Sequence, residues 1–288
     1  MNGDREPGRP HVGSDRSPSA PGPGGQTPGA ELLRRAKRDG RRIVACTAYD
    51  HWSAAVLNRA PVDFLLVGDS VAMVVYGHPS TRAATLEMLM GHLGAVRRGA
   101  PDQVVVADIP WLAMEGGVEA AVKAGRTLRG GGADAVKVEA VPGHLTVVRR
   151  LVEEGIPVMG HVGLLPQTVT APEEYRVAGR GREAEEILES AAQLQAAGCF
   201  SLVLECVPSN LATEVTAALD IPVIGIGAGA DTDGQILVLH DLAGLTPGGA
   251  PRFVRRFGDG AALLLRWIEA YAASVQEGRF PTETESYR

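Results

Sequence analysis

Five short apolar runs in this sequence end on hydrophilic groups. "FLLVG" leads to Asp69 and Ser70, "QVVVA" to Asp108, "DAVKVE" carries Lys137 and Glu139, "IPVMG" leads to His161, and "SLVL" to Glu205. Any one of these is what a strand end at the surface ordinarily carries. As a set they differ, because strand-end turns favour Asn, Gly and Ser, whereas these are mostly carboxylates embedded in apolar sequence. Buried charges of that kind need a partner or a metal. Asp69, Asp108 and Glu139 are hard oxygen donors with no cysteine or histidine cluster beside them, a donor set for Mg²⁺ rather than for zinc. The competing arrangement pairs these acids with Lys137 and nearby arginines. Lys137 and Glu139 are two residues apart, so on a strand both point to one face. Glu205 is flanked by Leu202, Val203, Leu204, Cys206 and Val207, surroundings that disfavour the carboxylate and raise its pKa toward the working range of a general base. His161 can orient a substrate oxygen or bond a backbone carbonyl.

Positioning such a set requires elements that end at a common place. Eight candidate strands are legible: 42–47, 64–68, 103–108, 134–139, 156–161, 201–206, 221–227 and 235–240. Between them lie segments of helical period, including 85–99, 117–131, 182–198 and 210–220, several closed by glycine. Strands that are apolar on both faces and alternate with helices imply a parallel sheet covered by helices. Eight such units in roughly 250 residues predict an α/β fold, a (βα)8 TIM barrel whose working residues gather at the C-terminal ends of the strands. A doubly wound open sheet is the alternative, but "CTAYDHW" after the first strand lacks the glycines of a dinucleotide loop. The later "GIGAGADTDG" leads into no helical segment and reads as a tight turn at the rim. The link from the seventh strand to the eighth is too short for a full helix.

Residues 1–29 are dominated by Gly, Pro, Ser and charge and read as a disordered tail ahead of one barrel domain, 30–288. The chain is 45% hydrophobic with a formal net charge of -6 and no basic stripe, which argues against nucleic acid as a partner. Three cysteines without C-x-x-C spacing indicate neither a disulfide framework nor a zinc knuckle. No apolar run approaches the roughly 18 residues of a membrane span. The expected protein is soluble and cytoplasmic, acting on small molecules.

The motifs "TAYD" (47–50), "LLVGDSVAM" (65–73), "AVRRGAP" (95–101), "VADIP" (106–110), "AVKVE" (135–139), "GHVGLLPQ" (160–167), "LVLECVP" (202–208) and "IPVIGIGAGADTDGQILVLHD" (221–241) occur in one order. Together they resemble the ketopantoate hydroxymethyltransferase family, over residues 30 to about 282. The resemblance implies a TIM barrel that moves a hydroxymethyl group from 5,10-methylenetetrahydrofolate to 3-methyl-2-oxobutanoate, through a magnesium-stabilised enolate, giving 2-dehydropantoate for pantothenate biosynthesis. It implies Asp69, Asp108 and Glu139 as the Mg²⁺ group. Asp69, Ser70, Asp108, Lys137 and His161 become substrate contacts, and Glu205 the proton acceptor. It further implies a homo-oligomer, a decamer built from dimers. Two stretches depart from the family pattern. "TAPEEYRVAGR" (170–180) has no Gly-Gly pair before its tyrosine, and Glu285 stands where the family commonly has His.

Overall fold

The computed structural model describes residues 27–141, 143–169, 174–248 and 250–287. The predicted tail thus falls, up to residue 26, outside the described residues. From Thr27 the chain is helical. The Thr27 hydroxyl accepts from the Ala30 N–H, Pro28 occupies the first turn, and α1 runs Pro28–Arg38.

Eight parallel strands follow in sequence order around a closed barrel: β1 (Ile43–Thr47), β2 (Phe64–Val67), β3 (Val104–Asp108), β4 (Ala135–Glu139), β5 (Val158–Gly163), β6 (Ser201–Glu205), β7 (Val223–Ile226) and β8 (Gly234–Leu237). The helices between them are α2 (His51–Leu57), α3 (Val71–Val74), α4 (Leu86–Gly99), α5 (Trp111–Glu115), α6 (Val118–Gly130), α7 (Leu145–Glu153), α8 (Arg182–Ala196) and α9 (Ser209–Ala218). Asp50 accepts from the Ser53 N–H at the start of α2, and Thr85 from the Met88 N–H at the start of α4. No helix is described between β7 and β8, as the short link requires, and Gly227 and Gly229 turn the chain there with φ of 65° and 82°.

Strand parity explains where the core ends and chemistry begins. Phe64, Leu66, Val104, Val106, Ala135, Met159, Val203 and Ile224 share one buried cluster inside the barrel. Continuing β3, β4, β5 and β6 by steps of two from these positions reaches Asp108, Lys137, Glu139, His161 and Glu205. The barrel-lining faces of these four strands are therefore apolar at one end and ionisable at the other. The alternate residues, such as Leu65, Val105, Val136 and Leu202, are fully buried as well, which is why the strands read as continuous apolar runs.

The C-terminal ends of two predicted strands shift by two residues or more. The fifth strand continues past His161 through Val162 and Gly163, because those residues pair with Leu204 and Glu205 of β6. The eighth stops at Leu237 rather than 240, and Leu239–Leu242 form the helical turn α10. An apolar run such as "ILVLH" has no period that separates strand from helix.

Two compact units divide the chain, one up to Ile236 and one from Leu237 onward. Within the second, α11 (Gly260–Gln276) buries none of its residues and exposes Leu264, Leu265, Trp267, Ile268 and Tyr271. Glu285 accepts from the Thr282 N–H at 2.8 Å and closes a capping box on the last helical turn.

In the first unit, α1 turns Ala30, Leu33 and Ala36 into the same apolar cluster as the inner faces of the strands. It is held there by Lys37, whose ammonium donates to the carbonyls of Thr216 (3.0 Å) and Ile221 (3.1 Å) and to Asp233 Oδ2 (2.9 Å). All three of its hydrogens are used. Replacing Lys37 by Met leaves two carbonyls and a carboxylate short of a donor, so urea denaturation is expected to register a loss of about 2 kcal/mol. A loss under about 0.5 kcal/mol would mean that α1 is held by apolar packing alone.

Candidate active site

The register of the sheet sets the site. Asp108 lies opposite Lys137 across β3 and β4, and Glu139 opposite His161 across β4 and β5. Neighbouring residues on parallel strands point to the same face, so their side chains meet. The Lys137 ammonium stands 2.9 Å from Asp108 Oδ1, 3.4 Å from His161 Nδ1. His161 Nδ1 is 3.6 Å from Glu139 Oε1, and its Nε2 is 3.2 Å from Glu205 Oε2. Asp69, delivered by the turn after β2, donates its N–H to Asp108 Oδ2 at 2.9 Å. That turn needs Gly68, where a Cβ would lie 3.1 Å from Ser70 Oγ and 3.4 Å from Asp108 Oδ2. Thus Asp69, Asp108, Lys137, Glu139, His161 and Glu205 form one connected cluster. Ser70 sits beside it, its hydroxyl 2.6 Å from that of Tyr49.

Burial makes this cluster electrostatically tense. The charge balance rests on one neighbouring ammonium, because Lys137 is the cation acting on Asp69, Glu139 and Glu205 alike. Burial pulls the Lys137 pKa down, but the charges of Asp108, Asp69 and Glu139 outweigh it and hold the ammonium firmly protonated. For the acids burial dominates. Asp69 is pushed up to about 7 by burial and by Asp108, against Lys137 and a hydrogen bond from Gln167. Glu205 is pushed up to about 7 by burial, opposed by Lys137 and reinforced by Asp108. Glu139 rises well above the carboxylate range for the same first reason. His161 is driven well below its usual value by burial and then by Lys137. A neutral imidazole follows, its Nδ1 lone pair toward the ammonium, while Nε2 lies 3.2 Å from Glu205 Oε2 without the alignment of a hydrogen bond.

A base whose pKa matches neutral pH is the best compromise between being ionised and being basic, and Glu205 meets that condition. Its backbone is held from both sides. The Leu164 N–H donates to the Glu205 carbonyl at 2.9 Å, and Gly163, with φ 94°, has no room for a Cβ beside that carbonyl. The next residue, Cys206, is the one non-glycine residue among the described residues held at positive φ, 49°.

The acids also bear on cation binding. Among the described residues no group of three or more His, Cys, Asp or Glu side chains is already arranged to hold a metal ion. The donor chemistry nevertheless fits a hard divalent cation. All the donors are carboxylate oxygens, and four acids facing one ammonium, which is itself paired with Asp108 Oδ1, leave negative charge for a cation to balance.

Three further residues join the site without having been marked by charge. The Gln167 side chain donates to Asp69 Oδ2 at 2.8 Å, and its N–H to Glu139 Oε2 at 3.1 Å. Tyr49 carries the hydroxyl that bonds Ser70. The Tyr175 phenol is pushed up to about 12 by burial and by the charges of Glu205, Asp69 and Glu139. Tyr49 and Gln167 lie in "TAYD" and "GLLPQ", motifs visible in the sequence, but their types alone signal no chemistry. Of the loop that departs from the family pattern, residues 170–173 lie outside the described residues.

Comparison with known proteins places the whole barrel among relatives. The family profile described as ketopantoate hydroxymethyltransferase matches residues 29–283. A 3-methyl-2-oxobutanoate hydroxymethyltransferase from Trichlorobacter lovleyi is 44% identical over 87% of this chain and 95% of its own. One from Thermus thermophilus is 46% identical over 88% of this chain and 100% of its own. Among solved structures, a phosphoenolpyruvate phosphomutase from Streptomyces platensis subsp. rosaceus matches with TM-score 0.60 at 14% identity, covering 86% of this chain and 88% of its own. A 2,3-dimethylmalate lyase of the PEP mutase/isocitrate lyase superfamily matches with TM-score 0.58 at 18% identity, covering 91% and 92%. At such identities the structural likeness is one of fold.

The raised carboxyl groups have a consequence for the metal-free protein. Groups whose pKa is lifted from 3.8 or 4.5 to about 7 on folding contribute stability that is complete below the unfolded values and lost as pH rises through about 7. Calorimetry of chelator-treated protein is expected to give a higher melting temperature at pH 5.5 than at pH 8. The D69N/E205Q double variant should flatten that difference. An unchanged slope in the variant would mean that other groups set the pH dependence.

Proposed function

The chain belongs to the ketopantoate hydroxymethyltransferase family, and from that premise and the geometry of the barrel mouth we propose that it is a hydroxymethyltransferase acting on 3-methyl-2-oxobutanoate. The one-carbon donor is 5,10-methylenetetrahydrofolate and the product 2-dehydropantoate, a precursor in pantothenate biosynthesis. The observation that carries the reading is the half-buried Glu205 carboxyl at the end of β6, pushed up to about 7, with Oε2 3.2 Å from Nε2 of a neutral His161.

Asp69 and Asp108, with Glu139, would hold Mg²⁺, which when bound polarises the keto oxygen and so acidifies the adjacent C–H. Glu205 accepts the C3 proton of the keto acid. His161, with Nε2 3.2 Å from Glu205 Oε2, stands beside that carboxylate. Lys137 balances the negative charge that grows on the substrate as the proton leaves, in a site where burial makes such compensation worth more than in water. Ser70, oriented by Tyr49, and His161 fix the pose of the acid, so that the carbon freed of its proton faces the methylene of the folate. That carbon bonds to the methylene carbon as one of its C–N bonds to the folate breaks, and water gives hydroxide to the methylene carbon as the second C–N bond breaks. The remaining proton of water and the proton taken by Glu205 go to the two folate nitrogens, so that tetrahydrofolate leaves.

The fold is shared with mutases and lyases, but family membership and the sequence motifs favour one-carbon transfer over C–C cleavage. Among the described residues no helix is long and apolar enough to cross a membrane, and the three cysteines are free and buried. Both are compatible with work in the reducing cytoplasm. The exposed apolar face of α11 supports self-association, and we assign the chain to a homodecamer.

The direct test is formation of 2-dehydropantoate that depends on both folate and Mg²⁺. Cleavage of an isocitrate-like acid without folate-dependent transfer would reverse the assignment. E205Q is expected to keep affinity for the keto acid while losing at least about 100-fold in exchange of its C3 proton with deuterated solvent; exchange at the unaltered rate would remove Glu205 as the base. Sedimentation should give a particle near ten times the 30.2 kDa of the chain, and a species of 30.2 kDa alone would refute the decamer.

A further inference from the structure

Gln167 lies in the loop after β5, on the helical turn Pro166–Thr168, and is 2% exposed. It carries no charge, yet it connects segments that follow three different strands. Its main-chain N–H donates to Glu139 at 3.1 and 3.4 Å, at the end of β4. Its side-chain nitrogen gives one hydrogen to Asp69 Oδ2 at 2.8 Å, after β2, and the other to the Ile109 carbonyl at 3.0 Å, after β3. The orientation of the amide follows from these contacts. Turned over, its oxygen would face the Ile109 carbonyl oxygen, and both can only accept. The Gln167 Oε1 is consequently left buried and without a hydrogen-bond partner among the described residues, an acceptor reserved for a donor that these side chains do not supply.

We propose that Gln167 is a positioning residue for the cation site, holding the carboxylates of Asp69 and Glu139 in one relative placement while leaving their charge intact. The inference rests on the magnesium reading given above. A primary amide is the side chain suited to this task. It donates hydrogen bonds that orient a carboxylate, but it does not cancel the negative charge as Lys or Arg would. An apolar side chain of the same length would preserve packing and release Asp69. Groups that orient metal ligands in this way are worth about 10- to 100-fold in metal affinity when removed.

The test uses the full chain and Mn²⁺ as the probe, with free Mn²⁺ counted by electron paramagnetic resonance, so that binding is read without turnover. The Q167M variant is expected to bind Mn²⁺ about 10- to 100-fold more weakly. Its C3 proton exchange should return to within a few-fold of the unaltered protein when Mg²⁺ is raised in proportion. Should Q167M not fold, Q167S leaves room for water and is expected to move binding in the same direction. Mn²⁺ binding equal to that of the unaltered protein would overturn the inference alone. Exchange depressed at every Mg²⁺ concentration would assign Gln167 a general structural role and overturn it too. Absence of Mn²⁺ binding by the unaltered protein would overturn the magnesium reading, and this inference with it.

Discussion

Four carboxyl groups are packed into the mouth of the barrel around the ammonium of Lys137, and the rest of the site is arranged to make that concentration of charge tolerable. An ion pair this deeply buried does not stabilise a fold by itself, since desolvation of both partners offsets most of their attraction. What the arrangement supplies is a set of groups poised between protonation states. Asp69 and Glu205 are pushed to about 7, and His161 is kept neutral between an ammonium and a carboxyl group. Water could screen such a cluster and return each group to its ordinary value; burial prevents this. The sheet around it, apolar on both faces, provides the low-polarity walls.

The parity of the strands converts sequence into this geometry. Val104, Val106 and Asp108 lie on one face of β3, and Ala135, Lys137 and Glu139 on one face of β4. A slip of one residue in either strand would send its charges into the helical layer. This is why the cluster was legible before any coordinates: each charged residue follows its apolar run, and two-residue spacing says which face it shares. The barrel was legible for the same reason, because apolar strands alternating with helical periods admit few architectures. Gln167 was not legible. An amide after a proline in a loop has no periodicity and no charge, and its importance lies in partners contributed by residues 69, 109 and 139, distant in sequence. The end of β8 escaped for a different reason, since a run of branched apolar residues is compatible with strand and helix alike until packing decides.

The structural neighbours include a mutase and a lyase at 14% and 18% identity, so the barrel alone does not separate rearrangement, cleavage and one-carbon transfer. Separation comes from side chains at the strand ends and from the loops that follow them. In this chain the end of β5 and the loop after it contribute in both ways. Gly163, the last residue of β5, makes room for the backbone of Glu205, and four residues later Gln167 reaches Glu139 on the neighbouring strand and Asp69 after β2.

The attachment of α1 bears on how the protein is made. Lys37 is synthesised early, yet its carboxylate partner Asp233 lies 196 residues further along the chain. At about 5–20 residues per second on the ribosome, roughly 10–40 s separate the two. Through that interval the apolar face of α1 has no completed barrel to cover, and β1 awaits the strand that will close the sheet against it. Until then the sheet keeps an open edge at β1, and α1 gains its Lys37 anchor only once the stretch around Asp233 has been made.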